Sequence, residues 1–266
     1  MTTKPHRKEN LYFSLRILFS LVGLFFVSLG ISKLFSLAES SFMVTIVTFL
    51  IYFLAFVAYF WFMQVFLIGH LRGNGIQITD KQFPEVFAMI EEAAKTLEIK
   101  KVPKVFLIQS GGVLNAFATR FAGKDYVAIY SDVFATIETQ SDVLKFILSH
   151  ELAHVKRRHI QKRFWTFLSF YIPFLGSAYS RACEYTCDSY AAEIVPNGSN
   201  SGLLLLAAGR ELYKKVDLEQ YLTAFDSNNS GAVKFAGIFA SHPHLPKRIR
   251  YLASLAAPTT DAVSHF

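Results

Sequence analysis

The chain has 266 residues, of which 52% are hydrophobic and 15% aromatic, and its mean hydropathy is positive. That is richer than a water-soluble domain of this length needs, so part of the chain is expected in a membrane. The net charge of +7 comes with no glycine-rich phosphate loop and no nucleic-acid motif, which argues against nucleic-acid recognition and for contact with anionic lipid.

Residues 1–10, with Lys4, Arg7 and Lys8, read as a basic cytoplasmic N-terminus. Residues 11–69 read as a transmembrane hairpin. Residues 17–31 are unbroken by charge and bounded by Arg16 and Lys33, which can snorkel, so a first span is expected over about 11–37. Residues 42–68 hold no charge and only Gln64 as a strongly polar side chain, and form the second span. At about 1.5 Å per residue, either crosses a hydrocarbon core of about 30 Å. The first apolar stretch is long, lacks an A-x-A-like site and is followed at once by another, so an uncleaved anchor is expected rather than a signal peptide. Lys4, Arg7 and Lys8 precede the first span, Lys33 alone lies near the turn, and Arg72 and Lys81 follow the second. Both termini and the region from residue 70 onward should therefore be cytoplasmic.

Beyond the hairpin, residues 84–97 read as an amphipathic helix with Pro84 in its first turn. Short strands are expected at 104–109, 115–121 and 126–130, with turns at Gly111-Gly112 and Gly123-Lys124. Ser141 then offers an N-cap, and Val143, Leu144, Phe146, Ile147, Leu148, Leu152 and Val155 repeat with roughly helical spacing. Inside this helix, residues 150–154 spell H-E-x-x-H. His150 and His154, one turn apart on one face, can converge on a metal ion, and Glu151 beside them can take a proton from a metal-activated water. His159, nine residues after His150, falls on roughly the opposite side of a continuous helix and reads as solvated. Arg157 and Ile160 stand where a metzincin needs Gly and His, which excludes that class.

A hydrolytic zinc site wants three protein ligands and one open position. Glu184 and Asp188, four residues apart in the 180–192 segment, supply what is missing. Glu184 is the expected third ligand of one zinc ion per chain, and Asp188 is expected to hold the free ring N–H of His150. Cys183 and Cys187 fall off that face and read as small packed thiols, kept reduced in the cytosol. Between the two halves of the site lies the apolar stretch 164–179. A single crossing there would put Glu184 and the histidines on opposite sides of the membrane, and Pro173 and Gly176 interrupt it. A re-entrant or interfacial helical hairpin with Trp165 near the headgroups is expected, with ordinary core packing as the alternative. Further helices are expected at 202–216, 218–225 and 246–256, and loops at 197–201 and 226–231.

H-E-x-x-H followed by E-x-x-x-D in an S-R-x-x-E-Y-x-x-D-x-x-A frame resembles the HtpX-type membrane zinc peptidases, gluzincins related to the CAAX prenyl endopeptidases. Asn115, Ala116, Phe117 and Ala118 match that family's N-A-F-A segment. His242, Pro243, Leu245, Arg248 and Ile249 match its H-P-x-L-x-x-R-I segment, in which His244 and Pro246 are this chain's own. The resemblance covers roughly residues 80–255. It implies a zincin-like metallopeptidase domain over 70–266, mainly α with a small β-sheet, behind the membrane hairpin. It also implies an edge strand at Asn115 and Ala116 that takes an extended substrate, and His242 as oxyanion donor with Arg248 as its partner; a structural His-Pro turn is the other reading of His242. Better-known members have two spans where this chain has 164–179.

The function that follows is a membrane-anchored zinc endopeptidase acting on proteins or peptides, membrane proteins in quality control among them. A zinc-supported scaffold without proteolysis is the alternative. Glu151 favours the enzyme, because a structural zinc site has no use for a general base.

Overall fold

The computed structural model describes residues 3–36, 40–109, 116–138 and 140–256. Two long helices come first, α1 (Arg7–Ser36) and α2 (Ser40–Asn74), and both are long and apolar enough to cross a membrane. The apolar side chains of α2 are almost wholly uncovered by protein, with Phe49 67% and Trp61 62% exposed. The core helix of a water-soluble fold would bury such residues, so their exposure favours hydrocarbon as the missing cover. Both helices outrun the expected spans. The polar ends of α1 and α2 continue into the rest of the fold instead of stopping at the membrane edge.

A short strand β1 (Ile76–Gln77) leads to α3 (Pro84–Thr96), opened by Pro84 at its first position, where a missing N–H costs nothing. Strands β2 (Lys104–Ile108), β3 (Ala116–Phe121) and β4 (Lys124–Tyr130) complete a mixed sheet of order β1-β2-β4-β3. β2 runs parallel to β4, while β3 and β4 form a hairpin with Ala116 opposite Ile129. The turn is Ala122-Gly123, both at positive φ (46° and 77°), the arrangement that matches strand twist in a two-residue hairpin loop. It lies one residue before the expected Gly123-Lys124. Asn115 and the Gly111-Gly112 turn lie outside the described residues.

After a short helix α4 (Ser131–Phe134), the sheet is covered by α5 (Ser141–Lys156), which packs on β3 and on α7 (Leu175–Ile194). Val127, Ile129, Leu144, Leu148, Leu152 and Leu203 are fully buried in the core between these layers. A second, smaller cluster joins Ile68 and Leu71, at the end of α2, to Phe106, Tyr126 and Ala128 on the sheet. The second apolar helix is thereby anchored to the domain. The helix predicted over 202–216 is broken: α8 (Ser199–Ala208) stops where Gly209 takes φ 81°, and a short 3-10 turn at Tyr213–Lys215 follows. Next come α9 (Leu218–Ser227), α10 (Gly231–Phe239) and α11 (Leu245–Ala256). Helix α10 was not expected from the sequence, since Gly231 and Gly237 dilute its helical signal.

Between α5 and α7 the chain makes an elbow rather than a crossing. Helix α6 (His159–Trp165), a 3-10 turn at Phe167–Tyr171 and the left-handed Phe174 return it to α7. The elbow lies along α1: Arg16 donates to the Thr166 carbonyl at 3.1 Å, and the Tyr171 hydroxyl donates to the Phe19 carbonyl at 2.6 Å. Trp165 and Phe170 project away from the protein, 76% and 80% exposed, while Thr166, Ser169, Leu175 and Tyr179 are buried.

Candidate functional site

Helices α5 and α7 pack side by side, which brings the two sequence motifs together. His150 and His154 place their Nε2 atoms 3.3 Å apart. The Glu184 carboxylate caps both, with Oε2 3.4 Å from His150 Nε2 and Oε1 3.4 Å from His154 Nε2. Zinc bonds of about 2.0–2.1 Å in a tetrahedron put neighbouring ligand atoms roughly 3.3–3.5 Å apart. Each histidine nitrogen thus has one oxygen of the Glu184 carboxylate at about that separation, a different oxygen for each.

Electrostatics agree with the geometry. Burial pulls the His150 pKa down, but Asp188 and Glu184 outweigh it and raise it to about 10. Burial likewise opposes charge on Glu184, yet His150, His154, His242 and Arg248 hold it well below the usual carboxylate range. Carboxylates kept ionised this firmly suit a positive charge at their centre. Cys187 is the competing donor, since its sulfur can group with the two histidines within 4.8 Å. Burial pushes this thiol well above its usual pKa, and Sγ lies 3.7 Å from His159 Nδ1. Ionising so buried a thiol is costly, whereas the Glu184 carboxylate is already charged.

Around the three donors stands a ring of supports. Asp188 Oδ1 lies 2.9 Å from His150 Nδ1. Arg248, from α11, donates to Asp188 through Nε at 2.7 Å and Nη2 at 2.6 Å, and its Nη1 is 3.4 Å from Glu184. Arg248 thus faces both buried carboxylates and meets His242 at the same Glu184 oxygen. His242 lies in the connection between α10 and α11, with Nδ1 3.0 Å from Glu184 Oε2 and its side chain 65% exposed. Glu151, His242 and Ala116 line one cleft of about 530 Å³, whose far wall is β3, the outer strand of the sheet.

Two residues escaped the sequence reading. His159 is not solvated: it is buried, with Nδ1 2.9 Å from His154 Nδ1. Helix α5 ends at Lys156, Arg158 turns left-handed at φ 55°, and His159 opens a new helix, so nine-residue helical counting does not apply. Behind His159 sits Glu9 from the first turn of α1, fully buried, with Oε1 3.3 Å from His159 Nε2. Arg157 donates to the same carboxylate at 2.8 Å, and Lys162 approaches it at 3.3 Å. Glu9 has no role in the sequence reading, because its partners lie about 150 residues away in the chain.

The model of peptidase family M48 matches residues 80–172 and 163–256. A protease HtpX homolog of Fusobacterium nucleatum subsp. nucleatum is 26% identical over 230 residues, covering 70% of this chain and 74% of that one. The crystal structure of S. mikatae Ste24p aligns at a TM-score of 0.46 and 16% identity, covering 91% of this chain and 66% of that one. The matched stretches run without a gap through the H-E-x-x-H helix, the Glu184 helix and the His-Pro connection, and the chain belongs to peptidase family M48.

Proposed function

We propose that this chain is a membrane-anchored zinc endopeptidase in which His150, His154 and Glu184 hold the metal and Glu151 is the general base. The observation that carries the reading is the convergence of His150 Nε2, His154 Nε2 and the Glu184 carboxylate on the wall of an open cleft that Glu151 shares. Zinc held there supplies a Lewis acid for the scissile carbonyl and lowers the pKa of water. Glu151 takes the proton of the attacking water and passes it to the leaving amine. His242, on the cleft wall beside Glu184, is the residue placed to donate to the developing oxyanion. Asp188 fixes the tautomer of His150, and Arg248 fixes Asp188. An extended substrate adds to β3 beside Ala116 and Asn115, a mode that reads backbone more than side chains and suits unfolded protein.

The same reading puts α1 and α2 across the bilayer, both termini and the cleft on the cytoplasmic side, and the elbow's aromatic residues in the headgroup region. Membrane proteins undergoing quality control are fitting substrates for a cleft held there. Stripping the detergent-purified protein with a chelator should abolish cleavage of casein, and stoichiometric zinc should restore it. Cleavage that survives complete metal removal would overturn the proposal.

Glu9 and His159 extend the site. His154 Nδ1 lies 2.9 Å from His159 Nδ1 and His159 Nε2 lies 3.3 Å from Glu9 Oε1, so Glu9 and His159 stand in line behind His154. Glu9→Gln should weaken zinc binding by about 10–100-fold in competition with a chromophoric chelator. Unchanged affinity would reduce Glu9 to an ion-pair anchor for Arg157 and Lys162.

A further inference from the structure

A second cavity, of about 250 Å³, lies between the first turns of α1, the start of α7 and the α10–α11 connection. His6, Lys8, Arg181, His244 and Lys247 line it, and none of its lining residues is a carboxylate. Of the acids adjacent to lining residues, Glu9 is turned to Arg157 and Lys162, and Glu184 to His150, His154, His242 and Arg248. The cavity is therefore cationic, and its complement is an anion.

Its depth says where the anion comes from. Tyr12 on the cavity wall precedes Ile17, where the uncharged stretch of α1 begins, by five residues, or about 8 Å along the helix. The headgroup layer flanking a hydrocarbon core of about 30 Å is roughly 5–8 Å thick. Helix α10 stands at the same level. Its end is pinned to the start of α7 by Ser177, which donates to the Phe239 carbonyl at 3.1 Å, and by Arg181, which donates to the Ile238 and Ala240 carbonyls at 2.8 and 2.7 Å. Gly237 packs against His244, whereas Phe235 is 63% exposed and Ile238 and Phe239 are uncovered beside it. The Phe239 ring meets Phe174 edge to face at 4.9 Å, which joins this apolar face to the exposed aromatic residues of the elbow. A basic cavity roofed by an unpartnered apolar helix, level with the entry of α1 into hydrocarbon, matches a lipid with an acidic head.

We infer that this cavity binds the phosphate of an anionic phospholipid, with the Phe235–Phe239 face of α10 seated in the leaflet. The inference rests on the membrane reading of α1, and its site is separate from the metal. Pro243 lines both the cavity and the cleft and follows His242 directly, so a bound headgroup also steadies the wall that carries His242.

The test is lipid binding by the full chain in neutral detergent, read by native mass spectrometry with phosphatidylglycerol and phosphatidylcholine in competition. Phosphatidylglycerol should be preferred by about tenfold, and Lys8→Gln with Lys247→Gln, both at exposed positions, should remove the preference. Phe235→Ser with Phe239→Ser should weaken both lipids. Equal binding of the two lipids, or a preference untouched by the lysine changes, would overturn the inference. Displacement of the lipid by inorganic phosphate at equal concentration would also overturn it, reassigning the cavity to a soluble anion. Since the readout needs neither zinc nor cleavage, failure here is distinguishable from failure of the peptidase reading.

Discussion

Glu151→Gln should cut casein cleavage by about 10³-fold while zinc content stays the same as in the wild type. The amide keeps the size of the carboxylate and its place on the cleft wall, and loses only the ability to accept and return a proton. Glu151 lines the cleft without taking part in the three-donor set, so metal retention and catalysis separate at this residue. Equal cleavage by the two proteins would sink the assigned base. If both retained zinc and neither cleaved any of several unfolded substrates, the chain would be a zinc-supported scaffold.

The second large effect is structural. Arg248 is buried between two buried carboxylates, and burial alone would penalise its charge, but Asp188 and Glu184 raise its pKa above the usual arginine value. Arg248→Met fills the space and removes the cation, leaving Asp188 and Glu184 with excess negative charge in the interior. Metal-free protein should lose about 3–5 kcal/mol of stability in denaturant unfolding, the usual cost of breaking one side of a buried ion pair. Adding Asp188→Asn should recover part of that loss, because the stranded charge is then gone. A loss of under about 1 kcal/mol in the single variant would mean that water reaches Asp188 and that the pair is not buried in solution.

Much of this was legible before any coordinates, because the informative contacts are local. His150 and His154 share a helical face by spacing alone, as do Glu184 and Asp188. The two apolar helices announce themselves by length, and the strands by alternation and turns. Residues 164–179 form an elbow, and α7 returns Glu184 to within 3.4 Å of both histidines. What failed depended on a break or on distance. One left-handed residue, Arg158, moved His159 from an expected solvated face into contact with His154. Glu9 reaches His159 across 150 positions of chain, and no periodicity encodes such a contact. Helix α10 was lost because its glycines lower helical propensity, which tertiary contacts with His244 and α7 then override.

The central claim is the identity of the third metal donor, and X-ray absorption at the zinc edge of the reconstituted protein tests it most directly. The account predicts nitrogen and oxygen neighbours only, at about 2.0–2.2 Å, from His150, His154, Glu184 and solvent. A sulfur neighbour at about 2.3 Å would place Cys187 in the coordination shell and contradict it.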